Sequence, residues 1–425
     1  DDLSLLDRLL TDGGMDKRCH QLKDFYRYAL ARGIDAKGFS FDAELAAYLL
    51  SPSATSYALS RLLGEYQLMI ASELSEEAAD CAGLYTLCER MAEEIRENGM
   101  EKLLYEIEMP LAEVLASMEL IGFAVDAEAI RHYGDTLRVQ VDALTEEIYQ
   151  LAGHSFNINS PKQLGAVLFE ELMLPFAKKT KSGYSTNVDV LEMLRPIHPI
   201  AGAVLEYRKL QKLVSTYVEG LIKVVGEDGR IHSRFNQTET RTGRISSTEP
   251  NLQNIPVRTE EGSKLRRFFR AREGWKLVDA DYSQIELRVL ADLADDENMI
   301  AAFQSGEDIH TTTAAQVFGL PEEMVTPVMR SRAKAVNFGI VYGIGAFSLS
   351  QDIGVSIAEA DSYIKNYLEH YAGVRKYMED TIKYARENGY VKTLFGRRRY
   401  LPELAASNKI TQAFGERVAR NMPIQ

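Results

Sequence analysis

The stretch Val278-Asp279-Ala280-Asp281-Tyr282-Ser283-Gln284-Ile285-Glu286-Leu287-Arg288 decides how the rest of the chain is read. Leu277 and Val278 are apolar and strand-like, and from Ile285 onward Ile285, Val289 and Leu290 recur at helical spacing. The pattern predicts a strand running into a helix, with Asp281 at the junction. A carboxylate at an open strand end suits a hard divalent cation, which takes oxygen ligands and accepts phosphate oxygens among them. The plain alternative is an aspartate that caps the helix and accepts its backbone N–H groups. Spacing alone favours the cap. Two other stretches shift the balance.

The first runs from Arg330 to Gly343: Arg-Ser-Arg-Ala-Lys-Ala-Val-Asn-Phe-Gly-Ile-Val-Tyr-Gly. Pro327 predicts a helix start, and Gly343 and Gly345 its end. Arg330, Lys334, Phe338 and Tyr342 are four apart, so each step drifts by only about 40° and all four share one side. Two neighbouring cations repel unless an anion lies between or above them, and a triphosphate fits that place. The aromatics beyond would stack on a base. The alternative is an amphipathic helix with its cations in solvent and its aromatics in the core. The second stretch is Thr240-Arg241-Thr242-Gly243-Arg244-Ile245-Ser246-Ser247, continuing through Pro250-Asn251-Leu252-Gln253-Asn254-Ile255-Pro256. Its hydrogen-bonding side chains and fixed backbone suit contact with base edges and sugars, with Arg244 as a minor-groove reader; otherwise it is a polar surface loop.

In this order and at these separations, the three stretches resemble the family A DNA polymerases, in the large-fragment form of the bacterial members. The resemblance covers essentially the whole chain. It implies an α+β, right-hand polymerase fold: helical thumb and fingers around an antiparallel palm sheet, with an N-terminal 3′–5′ exonuclease-like (ribonuclease H-like) domain. The implied boundaries are 1–101 for a partial, inactive exonuclease-like domain, 102–229 for the thumb with a connecting palm segment, 230–290 for the first part of the palm, 291–395 for the fingers, and 396–425 for a return to the palm. The implied activity is template-directed DNA synthesis by deoxynucleotidyl transfer to a primer 3′-hydroxyl, in replication and repair, in a cytoplasmic, nucleoid-associated bacterial monomer. The partners are primer-template DNA and deoxynucleoside triphosphates.

By the same resemblance Asp281 would ligate two catalytic Mg2+ ions, joined by the backbone carbonyl of Tyr282. Arg330 and Lys334 would hold the triphosphate, with His310 and Gln284 nearby and Lys334 as proton donor to pyrophosphate. Phe338 would pack on the nucleotide and discriminate against those lacking a 3′-hydroxyl. Tyr342 would stack at the template position, and Glu286 would block a ribose 2′-hydroxyl. Arg244, Gln253, Asn254, Arg417, Asn421 and Gln425 would contact the primer-template.

Two departures qualify the expectation. The family's second carboxylate motif is not among these 425 residues, so the ion pair is expected only where that motif is present; a non-catalytic primer-template binder is the alternative reading. Residues 1–100 resemble only the latter part of the exonuclease domain. Phe25 stands where a metal aspartate is expected, and Glu76 where a tyrosine is expected four residues before Asp80. Proofreading is therefore not expected. A single-subunit RNA polymerase, a third possibility, conflicts with Glu286.

Composition sets the frame. The chain is 45% hydrophobic and 26% charged, as ordinary globular domains are. No apolar run approaches the roughly 20 residues of a membrane span. The cysteines Cys19, Cys81 and Cys88 form neither a disulfide framework nor a zinc pattern. Net charge is −13, but residues 1–100 hold 18 acidic against 10 basic residues, so −8 resides there and −5 in the other 325. Within these lie two basic clusters, Lys264/Arg266/Arg267/Arg270/Arg272 and Arg397/Arg398/Arg399, either of which could face a polyanion, since screening makes the local field decisive.

Along the chain, helical stripes are predicted at 17–30, 41–50 and 78–96. A long helix carries Leu137, Val141, Leu144, Ile148 and Leu151 as a seam, and pairs with 200–225. Strands are predicted at 230–235, 264–271 and 275–280, a hairpin at 389–401, and a basic loop at 178–186.

Overall fold

The computed structural model describes residues 2–68, 75–175, 179–180, 183–257, 259–306 and 308–425. They form a helix-dominated α+β chain that divides into two compact units. One comprises 1–116, 237–245 and 279–425; the other comprises 117–236 and 246–278. Of the expected basic loop, residues 178, 181 and 182 lie outside the described residues, and Lys179–Thr180 pairs with Gly183–Tyr184.

The second unit is built on a helical hairpin. The helix Ala127–Ala152 starts where Asp126 accepts the Ala129 N–H at 2.9 Å and stops at Gly153 in the left-handed region. Its seam buries Ile130, Leu137, Val141 and Ile148, with Leu144 and Leu151 packed against the same core. The partner runs through Pro199–Lys212, a wider turn at Leu213–Glu219, and Gly220–Lys223. Gly134 lets the two helices approach: a Cβ there would lie 2.5 Å from Val218 Cγ1. Strand Arg234–Asn236 pairs antiparallel with Ser246–Thr248, and Phe123–Ala124 pairs with Arg230–Ile231.

Two expected strands of this unit are absent. Residues 264–271 begin as the helix Glu260–Arg266. Thr259 accepts the Gly262 N–H, Glu260 and Glu261 face the positive helix end, Glu260 pairs with Lys264 at 2.9 Å, and Leu265 is fully buried. These local terms outweigh the β-like reading of the sequence. Residues 275–280 form no regular element and belong to no ladder, and Trp275, Leu277 and Val278 are all exposed. Among the described residues nothing pairs with them, so the expected palm sheet is represented only by two-stranded pieces. Strand propensity has no effect without a neighbour to supply the ladder.

In the first unit, Lys17–Cys19 pairs parallel with Phe39–Asp42, so the predicted 17–30 helix is confined to Leu22–Ala31 and the 41–50 helix to Ala43–Leu50. Asp42 accepts from the backbone N–H of Leu22 (2.9 Å) and Glu44 (2.8 Å), tying both helix starts together. Phe25 packs its ring on Phe39 at 5.6 Å. Helices from Ile285 to Asn388 share a separate core around Leu287, Leu290, Val336, Ile340, Tyr367 and Tyr371. The hairpin forms as predicted, with Tyr390–Lys392 against Arg398–Tyr400, and the helix Lys409–Asn421 follows.

The hairpin arginines do not form a groove-facing cluster. Arg397 pairs with buried Glu108, Arg398 donates to the Asn98 side chain and carbonyl at 2.6 and 2.8 Å, and Arg399 donates to Ser53 and lies 3.5 Å from Glu403. They cross-link elements of one unit. Of the other cluster, Lys264 is paired with Glu260, Arg270 with Asp126 at 2.8 Å, and Arg272 stacks on Trp275 at 3.7 Å.

Candidate nucleotide and primer-template site

Asp281 lies in the irregular segment before the helix Ile285–Ala294, not at its cap. The N-cap is Gln284, held at φ 47° and ψ 43° in the left-handed region, with no side-chain cap bond. A non-glycine residue there is strained. Arg288 secures this turn: its Nε donates to the Ser283 carbonyl at 2.9 Å, and its guanidinium lies 4.5 Å from the Phe303 ring centre. Ser283 in turn donates to Gln284 Oε1 at 2.6 Å. The cap alternative for Asp281 therefore falls. Its carboxylate and the Tyr282 side chain are both exposed, and among the described residues Asp281 has no hydrogen-bond or ionic partner.

The helix Pro327–Val341 starts at Thr326, whose hydroxyl accepts the Met329 N–H, and ends at Tyr342. Ala333, Val336, Asn337, Ile340 and Val341 face inward. Arg330, Lys334 and Tyr342 are exposed, and Phe338 is half-buried. The core alternative for these aromatics is thus excluded for Tyr342 and only partly met by Phe338. Gly343, at φ +68°, packs against the stem of Arg417, where a Cβ would sit 2.9 Å from Cγ. Arg417 and Asn421 are one helical turn apart on Lys409–Asn421, and exposed Gln425 follows.

The two cations differ in a way the sequence did not disclose. Arg330 is ion-paired with Asp308, the N-cap of the helix Ile309–Phe318. Burial opposes ionisation of Asp308, yet the Arg330 guanidinium, the Thr311 hydroxyl and the His310 N–H together hold its carboxyl below the usual range. Lys334 forms no ion pair among the described residues. His310, expected beside the triphosphate, is almost fully buried. Its Nδ1 accepts from Asn337 Nδ2 at 3.1 Å, which leaves Nε2 to carry the proton of the neutral ring. Its ring meets Phe338 at 5.7 Å. Burial pulls the imidazole below its ordinary value; Asp308 opposes this, and Arg330 and Lys334 add to it. The signal for Asp308 was an acidic residue before a helical run, which reads as a cap and conceals its second bond.

Glu286 joins residues far apart in sequence. Its carboxylate accepts from Arg244 Nη2 at 2.7 Å and from the Tyr342 hydroxyl at 2.6 Å. Burial, then the Glu286 carboxylate, pushes the Tyr342 hydroxyl pKa up, so it remains a proton donor. Gln253 and Asn254 belong to the other unit, on an exposed turn over Leu252–Asn254 where Tyr217 donates to the Asn254 carbonyl at 2.6 Å.

Residues 127–425 match the model of the family described as DNA polymerase family A. The chain belongs to that family. It is 48% identical over 415 residues to DNA polymerase I of Geobacillus stearothermophilus and 46% identical over 415 residues to that of Bacillus subtilis, covering 93% of this chain and 47% of each relative. The chain thus spans about half the length of these relatives. A solved structure described as the POL domain of Pol1 from M. smegmatis in complex with DNA primer-template and dNTP is 40% identical. It matches with a TM-score of 0.91 over all of this chain and 75% of that one.

Family A polymerases generally use Mg2+. Among the described residues no group of three or more His, Cys, Asp or Glu side chains could hold a metal. Asp281 and the adjacent carbonyl are hard oxygen donors of the right kind, but one carboxylate does not make a two-ion centre. The donors described here do not fit the complete magnesium site.

Proposed function

We propose that the chain is the nucleotide- and primer-template-binding part of a bacterial polymerase that adds deoxynucleotides to a primer 3′-hydroxyl under template direction, in replication and repair. The observation that carries this is the Glu286 carboxylate, which accepts at once from Arg244 and Tyr342, while Lys334 lies exposed on the Tyr342 side of the helix. In this reading Arg244 reads the minor groove at the primer terminus. Tyr342 stacks at the template position and yields it when the fingers close. Arg330 and Lys334 meet the triphosphate, and Lys334 donates a proton to the leaving pyrophosphate. Gln284 and His310 lie beside the nucleotide. Phe338 packs on its sugar and base, and Glu286 occupies the space a 2′-hydroxyl would need. Gln253, Asn254, Arg417, Asn421 and Gln425 complete the DNA contacts. Asp281 and the Tyr282 carbonyl are the proposed share of these residues in binding two Mg2+ ions.

The proposed layout keeps 1–101 as an exonuclease-like platform without proofreading, 102–229 as thumb with a connecting palm segment, 230–290 as palm, 291–395 as fingers and 396–425 as the return to the palm. A cytoplasmic, nucleoid-associated monomer goes with it. No helix among the described residues is long and apolar enough to cross a membrane.

Primer extension by the full-length protein with labelled nucleotides is the direct test, and preferential use of ribonucleotides would contradict the reading. Glu286→Ala is expected to raise ribonucleotide incorporation relative to deoxynucleotide by at least about tenfold, because exclusion by a filled volume disappears with the side chain. An unchanged ratio would remove Glu286 from selectivity. Primer-template affinity is expected to fall by at least about 10²-fold between about 50 and about 200 mM salt, from counterion release at phosphate contacts. A flat response would rule out a phosphate-gripping mode.

The single carboxylate at Asp281 favours one other reading for these 425 residues by themselves, a binder of primer-template DNA without catalysis. Assaying this chain beside the full-length protein separates the two; equal activity in both would exclude the binder.

A further inference from the structure

The segment Gln237–Ile245, which carries Arg244, is fastened by buried contacts to residues distant in sequence. Gln237, itself buried, donates from Nε2 to both the backbone carbonyl and Oε2 of Glu108, each at 2.9 Å. The other oxygen of Glu108 pairs with Arg397, and both residues are more than nine-tenths buried. The Arg397 guanidinium lies 5.4 Å from the ring centre of Tyr48, whose hydroxyl donates to the Thr240 carbonyl at 2.6 Å. Thr240 Oγ1 donates to the carbonyl of Arg244 at 2.6 Å. Between them Gly243, at φ +92°, lies directly against Arg397: a Cβ at that position would be 2.5 Å from Nε and 2.8 Å from Cζ. The circuit Gln237–Glu108–Arg397–Tyr48–Thr240 therefore closes on the backbone of Arg244 itself.

We propose that Arg397 is a positioning residue: its buried pair with Glu108 forms the floor on which the 240–244 turn is moulded, and so sets the reach of Arg244 towards a primer-template duplex. The inference rests on the reading of Arg244 as a primer-template contact. It also gives residues 1–116 a task beyond bulk support, because Tyr48 and Glu108, two members of the circuit, come from there. A planar fork is needed. It hydrogen-bonds a carboxylate at its edge while offering flat faces to Gly243 and to an aromatic ring, which an ammonium cannot do. The charge is more than nine-tenths buried and already neutralised by Glu108, so it makes no phosphate contact and displaces no solution counterion.

The test is a double-mutant cycle on primer-template affinity, with thermal unfolding followed in parallel. Arg397→Lys is chosen because it retains the charge opposite Glu108; a neutral residue would leave a buried carboxylate unpaired. Arg244→Ala is expected to weaken binding about tenfold, as loss of a good base-edge contact does. Arg397→Lys is expected to weaken it about fivefold, leaving the salt slope unchanged, and the double variant should fall within about twofold of Arg244→Ala alone. Multiplicative effects, or wild-type affinity in Arg397→Lys, overturn the positioning role while leaving the primer-template reading intact. Wild-type affinity in Arg244→Ala overturns both. Should Arg397→Lys unfold below the assay temperature, Gly243→Ala replaces it in the same cycle, since its Cβ would press on the Arg397 guanidinium.

Discussion

Asp281→Ala lowers nucleotide incorporation by the full-length protein by at least about 10²-fold, the scale expected when a group that stabilises developing charge is removed, and leaves primer-template affinity within about twofold. The expectation follows from its placement. The carboxylate is exposed, caps no helix, and has no partner among the described residues. Its removal breaks no internal bond, so the fold should lose no more than about 0.5 kcal/mol. With so little structural use, and five residues before Glu286, Asp281 is available for the ligand role proposed above. Single-turnover primer extension paired with a binding titration makes the distinction. Incorporation within tenfold of the unaltered protein would end the ligand role, and a parallel loss of affinity would mean that Asp281 shapes the DNA site instead.

Lys334→Ala is expected to reduce kcat/KM for the nucleotide by about 10²-fold, with DNA affinity unchanged. The contrast with Arg330 carries the argument. Arg330 shares its charge with Asp308, whose carboxylate is already held in its ionised form, so part of its attraction for a triphosphate is offset by the bond it must loosen. Lys334 has no such counterion among the described residues and presents a full charge to an incoming anion. If Lys334 has the proposed role of proton donor to pyrophosphate, kcat should fall as well as KM rise. Nucleotide kinetics that stay normal would leave Lys334 as a solvated surface cation.

Much of the fold was legible because it depends on local pattern. The seam through Leu137, Val141 and Ile148 and its mate over 200–225 follow from helical periodicity, which a buried interface imposes directly on the sequence. The hairpin around Gly396 follows from a turn residue between two β-prone runs. Residues 264–271 and 275–280 were misread for opposite reasons. In the first, a cap, two acidic residues and one ion pair favoured helix over a β-like composition. In the second, the composition was suited to a strand and no neighbour pairs with it among the described residues.

The candidate site divides along the same line. The sequence by itself determined which residues share the exposed side of Pro327–Val341, since four-residue spacing fixes direction on a helix whatever surrounds it. It also determined the order of the three motifs, and with it the family. Tertiary structure alone decided the partners. It excluded Asp281 as a cap by placing Gln284 in that position, and gave Arg330 a counterion 22 residues away. It turned Arg397, Arg398 and Arg399 inward, and brought Arg244, Glu286 and Tyr342 together across 98 residues of chain. A hydrogen bond or ion pair leaves no periodic trace, because its energy depends on two side chains meeting at about 3 Å and not on how many residues separate them.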